Sequence, residues 1–448
     1  MVQTFSRGAS ARTVFVLATL LALVVPTALF AGGQGESAAA SSAPSASSTA
    51  TISFWAWGRL PERFKNQVAP LFSQSFPNVK YDFVTMNEND IIQKIQVAVS
   101  SGSPVPDIIG ANDFNAPIYM SNGLVVPLNK PKQLIDMKQF VPYKVANASW
   151  DGVVYGVPHD PAPVIRIYRK DLYEKAGVDP TKVKSWQDLI AAGKKLLQNG
   201  VYAIELPQDG VDFSTFNIVL GSLGGKIYDT KHQLAIDSPQ TREALQILKD
   251  MKQAGIWHDW GITGQNDTRT QDLFAAIQQG KLATIINASW YIGSITSAAP
   301  TTSGKWGLAP IPTGPDGKQL GTFSGGSAFY IVKGHKTNKE LLVDFLKDFA
   351  KQQLKIFENS GIFTAYIPNY SDPVFNETNA FFGGAKYYKF ILEQSEAVPP
   401  GIINYTTSYH QDQDVIPPII GPYVDGKASL SDTMTKLVQQ LKAVGSSS

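Results

Sequence analysis

Cysteine is missing from all 448 residues. Its absence excludes disulfides, thiolate metal sites and a lipid-modified N-terminal cysteine. A chain of this length can be held by its hydrophobic core without them. Histidine is scarce: His159, His232, His258, His335 and His410 are scattered, and no two have metal-ligand spacing. A zinc site would have to draw on carboxylates, which do not cluster, so no metal or cofactor is expected. His-Glu-x-x-His, the Walker loop, Gly-x-Ser-x-Gly and Gly-x-Gly-x-x-Gly are absent too. That removes the common signals of zinc peptidases, nucleotide binders and serine hydrolases. A glycosidase stays open, because its two carboxylates can lie far apart in sequence. Excess charge is also lacking. Without Arg7 and Arg12, Lys and Arg number 37 against 37 Asp and Glu, and no basic stripe marks a nucleic-acid partner.

Arg7 and Arg12 are the only charged residues before Glu36, and an apolar run from Thr13 to Phe30 follows them. A basic start, an apolar core and Ala31-Gly32-Gly33 at the exit form a secretory signal pattern, expected over 1–31. An uncleaved anchor is the alternative, since about 18 apolar residues nearly span a bilayer. Pro26 and the small residues after it favour cleavage. Residues 32–50 are almost entirely Gly, Ala and Ser, a composition that reads as a flexible tether. The expected location is periplasmic, in a host with two membranes. The roughly 400 residues that follow exceed one compact core, so two domains are expected.

Thr51–Trp57 alternates as a strand halted by Gly58, and Pro61 then opens a helix carrying Phe64, Val68, Leu71 and Phe72 on one face. Val79, Tyr81 and Phe83 alternate again. A second helix over 89–101 follows, and then a short strand at Asp107–Gly110. This strand–helix alternation predicts a parallel sheet covered on both faces, with ligands beyond the carboxyl ends of its strands. Trp57, Glu88, Asn112 and Asp113 lie just past such ends. Each also has a plainer explanation. Trp57 could pack with the first strand, Glu88 could cap the next helix, and so could Asp113. A second αβ series opens with Ser185-Trp186-Gln187-Asp188, which resembles a capping box. It continues with Ser238-Pro239, a strand over 281–286 leading to Trp290, and a strand over 327–332 before a helix from Lys339. A last helix carries Leu430, Met434, Val438 and Leu441 in register.

Several blocks carry a family resemblance: Phe76-Pro77-Asn78-Val79, Gly102-Ser103-Pro104-Val105-Pro106-Asp107, Asp151-Gly152-Val153-Val154-Tyr155-Gly156-Val157-Pro158 and Tyr168-Arg169-Lys170-Asp171-Leu172. Leu223-Gly224-Gly225, Gly280-Lys281-Leu282-Ala283, Trp306-Gly307-Leu308-Ala309-Pro310 and Gly325-Gly326 continue the order. From about Thr51 onward the chain resembles the extracellular solute-binding family that includes the maltodextrin-binding protein. The resemblance implies an α/β, two-lobed periplasmic-binding-protein fold of type II, closing on ligand about a hinge. Lobe 1 would hold 51–160 and 312–358, and lobe 2 would hold 165–310 and 367–445. Crossings would lie near 160–164, 311–317 and 361–366. The implied partners are a small-molecule sugar and the permease subunits of an ABC importer, with the binding protein itself a monomer.

A pyranose offers one face of C–H groups and a rim of hydroxyls. Aromatic rings suit the face, and Asp, Glu, Asn and Arg suit the rim. Trp57 and Trp290 are the expected stacking platforms, one from each lobe. Glu88, Asn112 and Asp113 are the expected hydroxyl partners. His159 and Asp160, at the first crossing, would contact ligand or hold the crossover. Gly325 and Gly326 would let backbone approach ligand, or form a turn or bulge. Arg59 lies near the mouth, and Phe363 and Tyr366 beside the last crossing. A non-carbohydrate solute such as a polyol, a glycerol phosphoester or a peptide is the alternative ligand.

Overall fold

A computed structural model describes residues 50–58, 60–128, 136–206, 211–260, 270–357, 363–402 and 405–445. The expected signal segment, the tether as far as residue 49 and Arg59 lie outside the described residues. The main strands are β1 (Ala50–Ala56), β2 (Val79–Thr85), β3 (Ile108–Asn112), β4 (Gly156–Asp160), β5 (Val164–Arg169), β6 (Thr284–Ala288), β7 (Trp306–Pro310) and β8 (Ser327–Ile331). Lobe 1 is built on a five-stranded sheet of order β2-β1-β3-β8-β4. Lobe 2 is built on a three-stranded sheet of order β6-β5-β7.

In lobe 1, β2 and β3 run parallel to β1, as the strand–helix alternation predicts. β8 runs antiparallel to both β3 and β4. Its reversal follows from connectivity, because β8 is reached only after the chain has visited lobe 2 and enters from the far end. The alternation within β1 sends Ile52, Phe54 and Ala56 inward, each at most 1% exposed. Phe54 stacks on Phe64 with centroids 4.6 Å apart and meets Phe329 edge-on. Phe64 sits in a π-helical turn (Phe64–Val68) between two α-helical pieces, Leu60–Arg63 and Ala69–Ser75. The turn shifts the helical register, and Phe64 and Phe72 are both fully buried.

In lobe 2 the capping box forms as the sequence indicates. Ser185 Oγ accepts from the Asp188 amide at 3.1 Å, and Asp188 Oδ2 accepts from the Ser185 amide at 2.9 Å. The helix it starts, Trp186–Leu197, turns Trp186, Leu189, Ala192 and Leu196 into the core. The Trp186 indole N–H donates to Ser222 Oγ at 3.0 Å. The closing helices, Tyr409–Val424 and Leu430–Gly445, complete this core through Ile416, Ile420, Leu437 and Leu441.

The chain crosses from lobe 1 to lobe 2 between β4 and β5. Its return differs from the expectation at 311–317. There the Thr313 amide still donates to Lys184 O at 2.8 Å, and Gly314 lies against Leu223, so this stretch remains part of lobe 2. The return follows at Thr322–Ser327. Thr322 O accepts from the Val164 amide at 2.8 Å, and the Ser324 amide donates to Ala162 O at 3.1 Å. A β-type pairing with the outgoing crossing supplies the hydrogen bonds that a buried crossover must find. A third connection runs through Phe363–Tyr366, where the Ala365 amide donates to His159 O and Ala365 O accepts from the Val141 amide, both at 3.0 Å. Among the described residues no helix is long and apolar enough to cross a membrane.

Candidate functional site

The carboxyl ends of β1 and β3 face lobe 2. Trp57 leaves β1 half-buried. Its ring lies over Gly110, where an added Cβ would stand 3.3 Å from Trp57 Cζ3. Glu88 opens the helix Glu88–Ser101 without capping it, because Asn87 is the cap and accepts from the Asn89 amide at 2.9 Å. The Glu88 carboxylate instead grips Asn112, accepting its backbone N–H at 2.7 Å and its Nδ2–H at 2.5 Å. Asn115 adds a third hydrogen bond. Burial raises the Glu88 pKa, while these bonds and nearby His410 oppose the rise.

Asp113 stands apart from this group. It is 1% exposed, and its oxygens accept from Lys144 Nζ at 2.6 and 2.5 Å and from Asn147 Nδ2 at 2.7 Å. It does not cap the helix Ala116–Ser121 either, whose cap position is Asn115. Burying an ionised carboxylate is costly unless it is paired and hydrogen-bonded, and a fully buried lysine supplies the partner here. Gly326 closes over the pair at φ 88°, and a Cβ there would lie 2.7 Å from Lys144 Nζ and 3.1 Å from Asp113 Oδ2. Gly326 is therefore a packing requirement of the ion pair. Gly325, at φ 79°, faces the Trp290 indole, whose Nε1 would be 3.6 Å from an added Cβ.

Trp290 caps the helix Tyr291–Ala298 directly after β6. Its indole N–H donates to Ser324 O at 3.1 Å, which pins a lobe 2 ring to the returning crossing. Asp160 accepts a hydrogen bond from the Ser327 hydroxyl. Burial pushes its carboxyl up to about 6, against the pull of Lys144.

Three expected contacts are placed in the cores. His159 is 2% exposed, with its ring 4.5 Å from Phe329 and 5.2 Å from Phe349 in lobe 1. Phe363 packs with Phe375 and Tyr388 beneath lobe 2, at 5.4 and 5.6 Å. Tyr366 packs on Phe140 and donates its hydroxyl to Gln139 Oε1 at 2.9 Å. In each case neighbouring core rings cover the aromatic face.

The sequence reading missed the aromatic meeting point of the lobes. Phe114 of lobe 1 stacks on Tyr409 of lobe 2 at 4.7 Å and meets Tyr405 edge-on at 6.3 Å. Phe213 backs Tyr409 at 5.3 Å. The Tyr405 hydroxyl accepts from the Gly325 backbone. Beside them, His410 Nε2–H donates to Asn115 Oδ1 at 2.7 Å, which links lobe 2 to the Glu88 network. Signals for these residues existed. Phe114 directly follows Asn112-Asp113 at a strand end, and Tyr405 and Tyr409 are four residues apart at a helix start.

Rings from both lobes thus stand beside a network of carboxylate, amide and imidazole groups at the strand ends. Among the described residues no group of three or more His, Asp or Glu could hold a metal ion. Two α/β lobes joined by crossings, with such groups where they meet, define a hinged binding protein. Residues 67–372 match the family model for bacterial extracellular solute-binding proteins, and the chain belongs to that family. It is 25% identical over 406 residues to the lactose-binding protein of Rhizobium radiobacter, spanning 88% of this chain and 89% of that protein. An arabinooligosaccharide-binding protein of Halalkalibacterium halodurans is 24% identical over 367 residues, 79% of this chain and 81% of that one. The sugar-binding protein MalE from Xanthomonas citri shares the fold with a TM-score of 0.73 at 19% identity, covering 88% of this chain and 97% of its own.

Proposed function

We propose that this protein captures a carbohydrate, preferably an oligosaccharide, between its lobes and delivers it to the permease of an ABC importer without turning it over. The observation that carries this reading is the meeting of Phe114 with Tyr405 and Tyr409, beside the hydrogen-bonding chain Glu88–Asn115–His410. Rings of this kind cover the C–H face of a pyranose, and the chain offers acceptors and donors to its hydroxyls. Trp57, Asn112, Asp160, Trp290 and Gly325 complete the proposed site. The sugars named for the two curated relatives support the ligand class. The protein is proposed to act as a periplasmic monomer, released by cleavage near Ala31.

Thermal-shift screening of the purified protein against lactose, maltose, arabinooligosaccharides and glycerol 3-phosphate tests the reading. A ligand that binds only the native state raises the melting temperature. A rise with at least one sugar is expected. A rise with glycerol 3-phosphate alone would overturn the proposal.

A further inference from the structure

Trp150 and His232 belong to different lobes, yet their rings stack 4.0 Å apart and within 17° of parallel. Trp150 lies in a hairpin, Ser149–Trp150 paired with Val153–Val154, that packs on the lobe 1 core. His232 tips a turn of lobe 2 closed by the bridge between Tyr228 and Leu234. Asp151, next to Trp150, holds a carboxylate oxygen 3.6 Å from His232 Nε2. The backbone sets this pair apart as well. Among the described residues Asp151 and His232 are the two non-glycine positions with positive φ, at 48° and 59°. That region is sparsely populated for residues with a Cβ. At Asp151 it is what the two-residue Asp151-Gly152 hairpin turn requires, with Gly152 at φ 77° beside it. Here the two unusual positions face each other across the lobes.

We propose that Trp150, Asp151 and His232 form an acid-tightened clasp that holds the two lobes together at the rim. With neutral His232 the clasp is a stacked ring pair. Protonation places an imidazolium over the electron-rich indole face and opposite the Asp151 carboxylate, which adds cation–π and ionic attraction. Within lobe 2, Asp229 on the same turn accepts from the Gln233 and Lys231 amides and lies in the field of Lys231 and His232, an interaction present whether or not the lobes touch. The extra attraction exists only where the lobes touch, so proton binding shifts the population toward the closed form. The clasp rests on lobe closure and is independent of which solute is carried. The other histidine link between the lobes, His410 to Asn115, lies among the proposed ligand contacts, so substituting it would mix closure with binding.

The lack of cysteine makes a direct test possible. Lys94 and Lys195 are exposed on opposite lobes, and the full chain carrying Lys94→Cys and Lys195→Cys can be labelled for energy transfer. Interlobe distance is read without ligand from about pH 8 to about pH 5.5. Acid should raise the closed-to-open ratio about threefold to tenfold. Asn tolerates positive φ, so His232→Asn keeps the turn and should lose at least half of that response. Asp151→Asn keeps the stacking and should show the same loss. Far-UV circular dichroism and the melting temperature report whether each variant is folded. If both folded variants respond to acid as the parent does, the clasp is overturned, and a parent without any acid response overturns it equally.

Discussion

Lys144 sets its ammonium nitrogen 2.6 Å from Asp113 Oδ1, with both side chains sealed from water. The pair joins the helix Pro142–Asn147 to the end of β3, and Asn147 contributes a further bond to the same carboxylate. Gly326 covers it, and Asp160 lies within its field. A fully buried charge pair thus sits beneath the crossings that join the lobes.

Breaking this pair should unfold the protein more readily. Lys144→Met leaves a buried carboxylate with only Asn147 and should lower stability by about 3–5 kcal/mol. Adding Asp113→Leu removes the orphaned charge and should recover most of the loss. Urea unfolding followed by tryptophan fluorescence reads both, and a single-variant loss below about 1 kcal/mol would contradict the account.

The two adjacent glycines should respond differently to alanine. Gly326→Ala meets both a left-handed backbone and the Lys144 ammonium, and should lose about 2–4 kcal/mol. Gly325→Ala meets Trp290 only at ordinary contact distance, so backbone strain near 1 kcal/mol is expected. Equal losses in parallel melts would count against the packing argument.

Asp412 carries a pH signature. Burial pushes its carboxyl up to about 7, against hydrogen bonds from Tyr228 and Ser408. The folded protein therefore binds this proton more tightly than the unfolded chain, where the group titrates near 3.9. The favourable contribution is complete below about pH 4 and is lost as pH rises through about 7. Asp412→Asn should accordingly be more stable than the parent by about 2–4 kcal/mol at pH 8, with no difference below about pH 4. Melting curves across that range test it, and a pH-independent difference would exclude linkage through this carboxyl.

Ligand contacts and core residues should separate in a binding titration with whichever sugar the thermal screen returns. Trp290→Ala and Tyr409→Ala should each weaken binding at least about tenfold. His159→Phe changes only the lobe 1 core and should leave the dissociation constant within about twofold. Loss of binding in the His159 variant, with the fold intact, would return that residue to the cleft.

Much of the architecture was legible because it is local. Hydrophobic alternation marked β1 and β2, and Ser185 with Asp188 announced a helix start through a four-residue motif. Trp290 follows a strand, as the sequence indicates. Asp113 was misjudged for the opposite reason. Its role depends on Lys144, 31 positions away, and nothing in the intervening sequence says the two will meet. The same holds for the return crossing, where Thr313 is kept in lobe 2 by pairing with Lys184 and Ser185, more than a hundred positions earlier in the chain.

The sequence by itself determined the absence of thiol and metal-motif chemistry, the strand–helix order and the positions of the strand ends. These follow from side-chain type and short-range periodicity, which act between near neighbours in the chain. Only the tertiary structure decided which polar groups are spent on one another. It alone paired Phe114 with Tyr409, Asn115 with His410 and Trp150 with His232. Such pairs join residues from separate lobes, and their energy depends on distance and desolvation that exist only once the chain has folded.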